Sequence, residues 1–420
     1  MRHIFDQYDQ PENRLTHALV CCLAEDRKLL NRFVRRVTGK AAPKGKLHIV
    51  EQRLPNGPEV AEEPESAESL PDGWIFTEDG WALLIESKVT DALKRGQLKR
   101  HLSTAARKGF GGAKVLAIDT SPPSWSLPPK TLFISWAELY TWFHRQGPRS
   151  EWALRLCTYM EVAENRMVAE RYLKEGTLTV FAGIPFNDDN PYTYHEGKRV
   201  LNLAMDDLQA RSDLKKGLGV DPKGKRRGAI TGSGGKGVWD FLPLKIKGKR
   251  GKSGSLPHPS LYIGRDSLNA ELTIPNAISS AWRKNLMGIG EHKFRSLMDE
   301  VTRNLERALK RHRYAVPRAS LYQRRYPSQK ARPFQDAVLA YDLRSAFDRK
   351  RGKPRIRHQP QWLDATYKAM AEKKSNLELQ VGAMFPYGKC PVVAKPKILD
   401  VMAKVWRATA PILDALGVNG

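Results

Sequence analysis

The stretch that decides the fold is Pro71-Asp72-Gly73-Trp74-Ile75-Phe76-Thr77-Glu78-Asp79-Gly80-Trp81-Ala82-Leu83-Leu84-Ile85-Glu86-Ser87-Lys88. Two apolar runs, Trp74–Thr77 and Trp81–Lys88, flank Glu78-Asp79-Gly80, a hairpin turn signal. Side chains alternate along a strand, so Ala82, Leu84, Glu86 and Lys88 share one face while Trp81, Leu83 and Ile85 share the other. A run of this kind belongs in a core, yet it ends in a carboxylate and an ammonium. Pairing across the turn brings Asp72 near Glu86. Two neighbouring carboxylates repel unless a cation lies between them, and a hard divalent ion such as Mg²⁺, or Mn²⁺ in its place, suits oxygen ligands. Asp72 and Glu86 are therefore candidate metal ligands, with the carbonyl of Ser87 as a third. Lys88 is placed to orient or deprotonate a water, or to neutralise charge on a phosphate. The competing reading is an exposed Glu86–Lys88 ion pair on an edge strand, which would be worth little. The run Trp81–Ile85 argues against it.

On the N-terminal side, a helix is predicted from Pro11 to Val37, with Asp9, Pro11 and Glu12 as its start signature. A strand over Lys46–Leu54 follows, then an acidic loop holding five glutamates between Glu59 and Glu68. On the C-terminal side come a helix over Asp91–Lys108, strands at Ala113–Ile118 and Thr131–Trp136, a helix from Ala137 and another over Glu151–Lys174. Beyond Gly176 the predicted strands are Thr177–Ile184, Val238–Leu244, Ser260–Ile274 with an internal turn, Ala337–Leu343 and Leu377–Phe385. The predicted helices there are Leu297–Arg311, Trp362–Lys373 and Ile398–Leu416.

Pro71-Asp72, thirteen intervening residues and Glu86-Ser87-Lys88 resemble the PD-(D/E)XK signature of the restriction-endonuclease-like nuclease superfamily. The order of elements from the first helix to Trp136 is also similar to that superfamily's core. The resemblance covers about residues 1–165 and implies a catalytic set of Asp72, Glu86 and Lys88. It points to Glu12, on the first helix, as an acid completing the metal site; the capping acid of that helix is the alternative reading. Gln97 matches a polar residue that some branches place near the scissile phosphate. Lys94, Lys99 and Arg100 beside it are candidate nucleic-acid contacts, and a solvated helix face accounts for all four equally.

Charge is unevenly placed. The chain of 420 residues carries a net charge of +26. Residues 1–165 hold 23 Lys and Arg against 21 Asp and Glu, whereas residues 166–420 hold 48 against 24. A near-neutral first part and a strongly basic second part point to a polyanionic partner, most plausibly nucleic acid; DNA rather than RNA is what the resemblance to the nuclease superfamily implies. Cations cluster at Lys223, Lys225, Arg226 and Arg227, at Lys245, Lys247, Lys249 and Arg250, and from Arg349 to Arg357. Trp239, Tyr322 and Tyr326 lie near charged clusters and stack on bases or, more simply, belong to the core. Thr231–Gly237 and Gly251-Lys252-Ser253 imitate a phosphate loop without its spacing, so no ATPase is expected. The four cysteines form no Cys-x-x-Cys pair, consistent with reduced thiols. No apolar run reaches the length of a membrane helix, and the start carries no leader pattern, so a cytoplasmic protein is expected.

The expected architecture is α/β: a restriction-endonuclease-like α/β sandwich over residues 1–175 and a basic α+β domain over 176–420. The expected activity is Mg²⁺-dependent endonucleolytic hydrolysis of DNA, with a role in restriction or anti-phage defence. Two alternatives stand beside it. One is a nucleic-acid-binding protein with an inactive nuclease fold; the other is a ribonuclease or effector subunit switched on by a partner or small molecule. Cutting both strands of a duplex commonly needs two active sites, which implies a homodimer or a partner protein in a defence complex.

Overall fold

A computed structural model describes residues 5, 10–52, 70–227, 237–246, 256–276, 280–325, 334–348, 357–372 and 376–418. The chain divides into two compact units, Met1–Val180 and Phe181–Gly420, where the sequence placed a boundary after residue 175. The acidic loop between Glu59 and Glu68, the phosphate-loop imitations bar Gly237, Lys247, Lys249, Arg250, Tyr326 and residues 349–356 lie outside the described residues.

The first unit runs α1 (Pro11–Glu25), α2 (Arg27–Thr38), β1 (His48–Glu51), β2 (Gly73–Phe76), β3 (Ala82–Ser87), α3 (Arg95–Arg107), β4 (Lys114–Asp119), β5 (Thr131–Ser135), α4 (Trp136–Gln146) and α5 (Glu151–Ala169). Its sheet has the order β1-β2-β3-β4-β5. The first three strands are antiparallel and the last three parallel, so β3 is the hinge between a hairpin and a crossover. Parallel neighbours need a long connection, and α3 supplies it between β3 and β4. On one face of the sheet Trp74, Phe76, Ala82, Leu84, Val115 and Ala117 pack against Leu98 and Ala105 of α3. On the other, α1 comes close enough that a Cβ on Gly73 would stand 3.2 Å from Val20 Cγ2.

Two predicted elements of this unit come out differently. The single helix over Pro11–Val37 is two helices broken at Asp26, whose extended backbone ends α1. Asp26 Oδ1 accepts the Leu29 amide at 2.8 Å and so caps α2. Its Oδ2 accepts the Ser150 hydroxyl at 2.6 Å, and Ser150 in turn caps α5. The predicted strand over Thr177–Ile184 is extended chain with no strand partner. The buried carboxylate of Glu164 takes the Leu178 amide at 2.8 Å and the Thr179 amide and hydroxyl, which removes the donors a ladder would use.

The second unit runs α6 (Tyr194–Ala210), α7 (Ser212–Leu218), β6 (Gly237–Phe241), β7 (His258–Gly264), β8 (Ser267–Ile274), α8 (Ser280–Gly288), α9 (Glu291–Ala308), β9 (Val316–Arg325), β10 (Phe334–Asp342), α10 (Gln361–Ala371), β11 (Leu377–Pro386), α11 (Ile398–Ala408) and α12 (Ala410–Leu416). Its six strands form an antiparallel sheet in the order β10-β9-β11-β8-β7-β6. Leu261, Leu268, Ala270, Leu272, Leu379, Val381 and Ala383 alternate onto one face and share a core with Leu201, Phe294 and Trp406 from the helices. The predicted helix over Ile398–Leu416 is interrupted at Thr409, and α6 and β9 are elements the sequence reading did not anticipate.

Candidate active site

The pairing register explains how the site is assembled. Gly73 lies opposite Ile85 across the hairpin, so Asp72, one step further out, lies beside Glu86 on the same face. That face is the one α3 covers. Glu86 is fully buried, held at the end of β3 by the apolar residues before it. Lys88 Nζ lies 2.9 Å from Glu86 Oε1, and His101 Nε2 lies 2.9 Å from Glu86 Oε2. A carboxylate can only accept, so His101 Nε2 donates. The Lys88 contact is an ion pair, so both oxygens of Glu86 face a donor or cationic side chain. Asp72 Oδ2 accepts the Ser87 amide at 2.8 Å, leaving Oδ1 for another ligand.

Electrostatics express the same crowding. Burial and then the neighbouring charge of Glu86 push the Asp72 carboxyl up to about 7, against the pull of the Ser87 amide and Lys88. Burial disfavours the charged form of Lys88, yet Glu86, Asp72 and Glu12 together hold its ammonium above its ordinary range. The pair Asp72 and Glu86 thus offers two oxygens and an unmet demand for positive charge. Among the described residues no group of three or more His, Cys, Asp or Glu is set to hold a metal. Mg²⁺ keeps several waters and is commonly held by one or two carboxylates, so the donor set fits that ion.

Glu12 lies on the first helix, as expected, close enough to act on the charge of Lys88. Its Oε1 accepts the amides of Val89 and Thr90 at 2.8 Å and of Asp91 at 3.0 Å. It also accepts the Thr90 hydroxyl at 3.2 Å. Burial would raise its pKa, but these amides and Lys88 outweigh it, so the carboxyl lies below its ordinary range. The helix itself starts at Gln10 without a side-chain cap, so Glu12 is not a capping acid there; it clamps the loop that follows the Glu86-Ser87-Lys88 segment. Beside it, Thr16 hydrogen-bonds the Ser87 hydroxyl, and Trp136 Nε1 donates to the Lys88 carbonyl at 3.0 Å. The backbone on both sides of the candidate ligands is therefore fixed.

Lys94, just before α3, and Lys99 and Arg100 on it are exposed, and Gln97 is half-buried. No described hydrogen bond or ion pair joins any of their side chains to Asp72, Glu86 or Lys88. The α3 residue that does reach the site is His101, which the sequence reading passed over. Its signal was present: His101 lies between Leu98 and Ala105 at helical spacing, on the stripe that faces the sheet. Asp119 was also missed. It ends β4 one step beyond the Ser87–Ile118 pair, beside Lys88, and burial, with Glu12 adding to it, raises its carboxyl above the ordinary range. Acids at the carboxyl ends of parallel strands are the general place for a site in an α/β sheet. No family model, curated protein or solved structure matches the chain.

Proposed function

We propose that the first unit is a metal-dependent endonuclease of the PD-(D/E)XK type that hydrolyses phosphodiester bonds. The observation that carries this reading is the apposition of Asp72 and Glu86 on one face of the sheet, with Lys88 Nζ 2.9 Å from Glu86. Asp72, Glu86 and the Ser87 carbonyl would hold Mg²⁺ or Mn²⁺. The ion would supply a water of lowered pKa and positive charge beside the scissile phosphate. Lys88 carries an ammonium into the same cell, where it orients the attacking water or stabilises a phosphate oxygen as charge builds. His101 holds Glu86 in its rotamer, and Glu12 fixes the loop from Val89 to Asp91 that begins just past Lys88. In the reaction the water oxygen joins phosphorus as the bond to the leaving oxygen breaks, and the proton from the water is delivered to the departing alkoxide through solvent.

DNA is the favoured substrate on the strength of the resemblance, and restriction or anti-phage defence the favoured role, in the cytoplasm and as a homodimer or with a partner protein. The second unit is proposed to bind nucleic acid through its excess of cations. One observation favours a second reading, in which the nuclease is gated by a partner or small molecule. Both oxygens of Glu86 already face a cationic or donor side chain, so loading a metal requires Lys88 to move.

The test incubates the purified chain with supercoiled plasmid, linear duplex, single-stranded DNA and RNA, each with Mg²⁺, Mn²⁺ or chelator. Metal-dependent cutting is expected, lost on chelation, and reduced about 10²-fold or more in Asp72→Ala and Lys88→Ala. Cutting that survives both substitutions sinks the assignment. Binding without cutting by the wild type transfers it to the gated reading, which predicts cleavage on addition of the missing activator.

A further inference from the structure

Two helices of the second unit bring cations from distant parts of the chain to one surface. α9 packs against α11, and just past the end of α9 the chain carries Lys310-Arg311-His312-Arg313. Leu309 and Ala315 are buried on either side of this run. Its backbone is pinned by two turn hydrogen bonds, from the His312 amide to the Leu309 carbonyl at 2.7 Å and from the Ala315 amide to the His312 carbonyl at 2.9 Å. Lys310, Arg311 and Arg313 are thus presented to solvent on a fixed turn.

α11 supplies the other side. Its apolar residues are buried from Ile398 to Ala408, which leaves one exposed stripe of Asp400, Lys404 and Arg407, starting at the cap residue Lys397. At a rise of about 1.5 Å per residue, Lys397 and Lys404 stand roughly 10 Å apart along the axis. Burial, then the charges of Lys397, Lys404 and Arg311, hold the His312 imidazole below its ordinary range, so cations from both elements converge on one ring. Ion pairing does not account for them. Among the described residues Lys310, Arg311, Lys395, Lys397 and Lys404 make no ion pair, and Asp400 is taken by Arg211 at 2.8 Å.

Helix polarity accounts for only half of the cluster. Cations at the end of α9 suit the negative end of its dipole, but Lys395 and Lys397 stand at the start of α11, where the helix end is itself positive. Like charges gathered in this way repel one another in the free protein, and an anion relieves them. A single phosphate is too small to meet them all. One strand of a duplex carries a phosphate about every 3.4 Å of axis, so the stretch from Lys397 to Lys404 covers about three.

We propose that this surface, the turn after α9 together with the exposed stripe of α11, holds the phosphate backbone of duplex DNA. The proposal rests on the reading of the second unit as a nucleic-acid-binding module and gives that module a location. Arg311, Lys397 and Lys404 each neutralise a phosphate, with Lys310 and Arg313 beside them. Contacts of this kind fix position on the duplex and carry no sequence information.

Fluorescence anisotropy is measured with the full chain and a short labelled duplex, in chelator so that the DNA stays intact. Combining Arg311→Gln, Lys397→Gln and Lys404→Gln lowers affinity about 10²-fold at roughly 100 mM salt and makes the slope of log K against log salt shallower by roughly 2–3. A control combining Lys284→Gln, Lys293→Gln and Lys368→Gln removes the same charge from exposed positions elsewhere in the unit and moves the slope by less than about 1. Near-ultraviolet circular dichroism checks that both variants keep the native fold. Selective loss in the first variant upholds the surface. If the wild type binds DNA and the two variants lose equally, or neither loses, the contact lies elsewhere and this surface alone is overturned. A wild type that binds no DNA, or that binds anionic phospholipid vesicles in its place, overturns the surface and the nucleic-acid reading together.

Discussion

Asp72 and Glu271 belong to different units, yet burial does the same thing to both: each carboxyl is pushed up to about 7. For Asp72 the second cause is the charge of Glu86. For Glu271, burial is opposed by Arg318 and reinforced by Glu378, and its charge is felt in turn by Tyr322 on β9. The consequence for stability has a definite sign. An unfolded Glu271 loses its proton near the ordinary value of 4.5 and the folded one at about 7. Between those values the folded state binds the extra proton, so stability falls as pH rises through that window. Urea midpoints across pH 5 to 8 should decline more steeply in the wild type than in Glu271→Gln, which cannot titrate. Identical slopes would show that the carboxyl is not buried in the folded state.

At the scale of elements, the sequence was most legible where one local pattern carried the information. The hairpin of β2 and β3 follows from period-two alternation about Glu78-Asp79-Gly80, and the same alternation sends Glu86 to the α3 side with Ala82 and Leu84. Long-range contacts were not legible. The breaks at Asp26 and Thr409 fall inside continuous helical stripes, and the extended chain at Leu178 and Thr179 reads as a strand until Glu164 claims its amides. His101 was hidden because its partner is distant in sequence. Glu12 could be placed on the first helix, but nothing in its neighbours pointed to the amides of Val89 to Asp91. Asp26 offers the element-scale test. Since one oxygen caps α2 and the other holds the cap of α5, Asp26→Ala should cost about 1–2 kcal/mol in a denaturation experiment. Asp26→Asn should recover much of it, because the amide retains a capping oxygen. Loss of less than a few tenths would mean that the two caps are not linked in solution.

For the molecule as a whole, the telling property is where charge accumulates relative to the candidate chemistry. The near-neutral residues 1–165 contain the candidate nuclease site, and the excess of cations lies in the remainder. If nucleic acid is held mainly by that excess, affinity should fall linearly in a plot of log K against log salt, with a slope set by the phosphates neutralised. Fluorescence anisotropy between 50 and 200 mM salt should lose about 10³-fold or more for six or more contacts. A flat dependence would remove the second unit from substrate binding while leaving the Asp72–Glu86–Lys88 site untouched.

The Glu12 clamp carries a consequence in time. Its carboxylate and the Val89 amide are separated by 77 residues of chain. At ordinary translation speeds of roughly 5–20 residues per second, that interval corresponds to roughly 4–15 s of synthesis. Through those seconds α1 is already made while its loop does not yet exist, so the carboxylate waits in water. The clamp can close only after the Glu86-Ser87-Lys88 segment has been made, and a nascent chain therefore cannot present a finished site early.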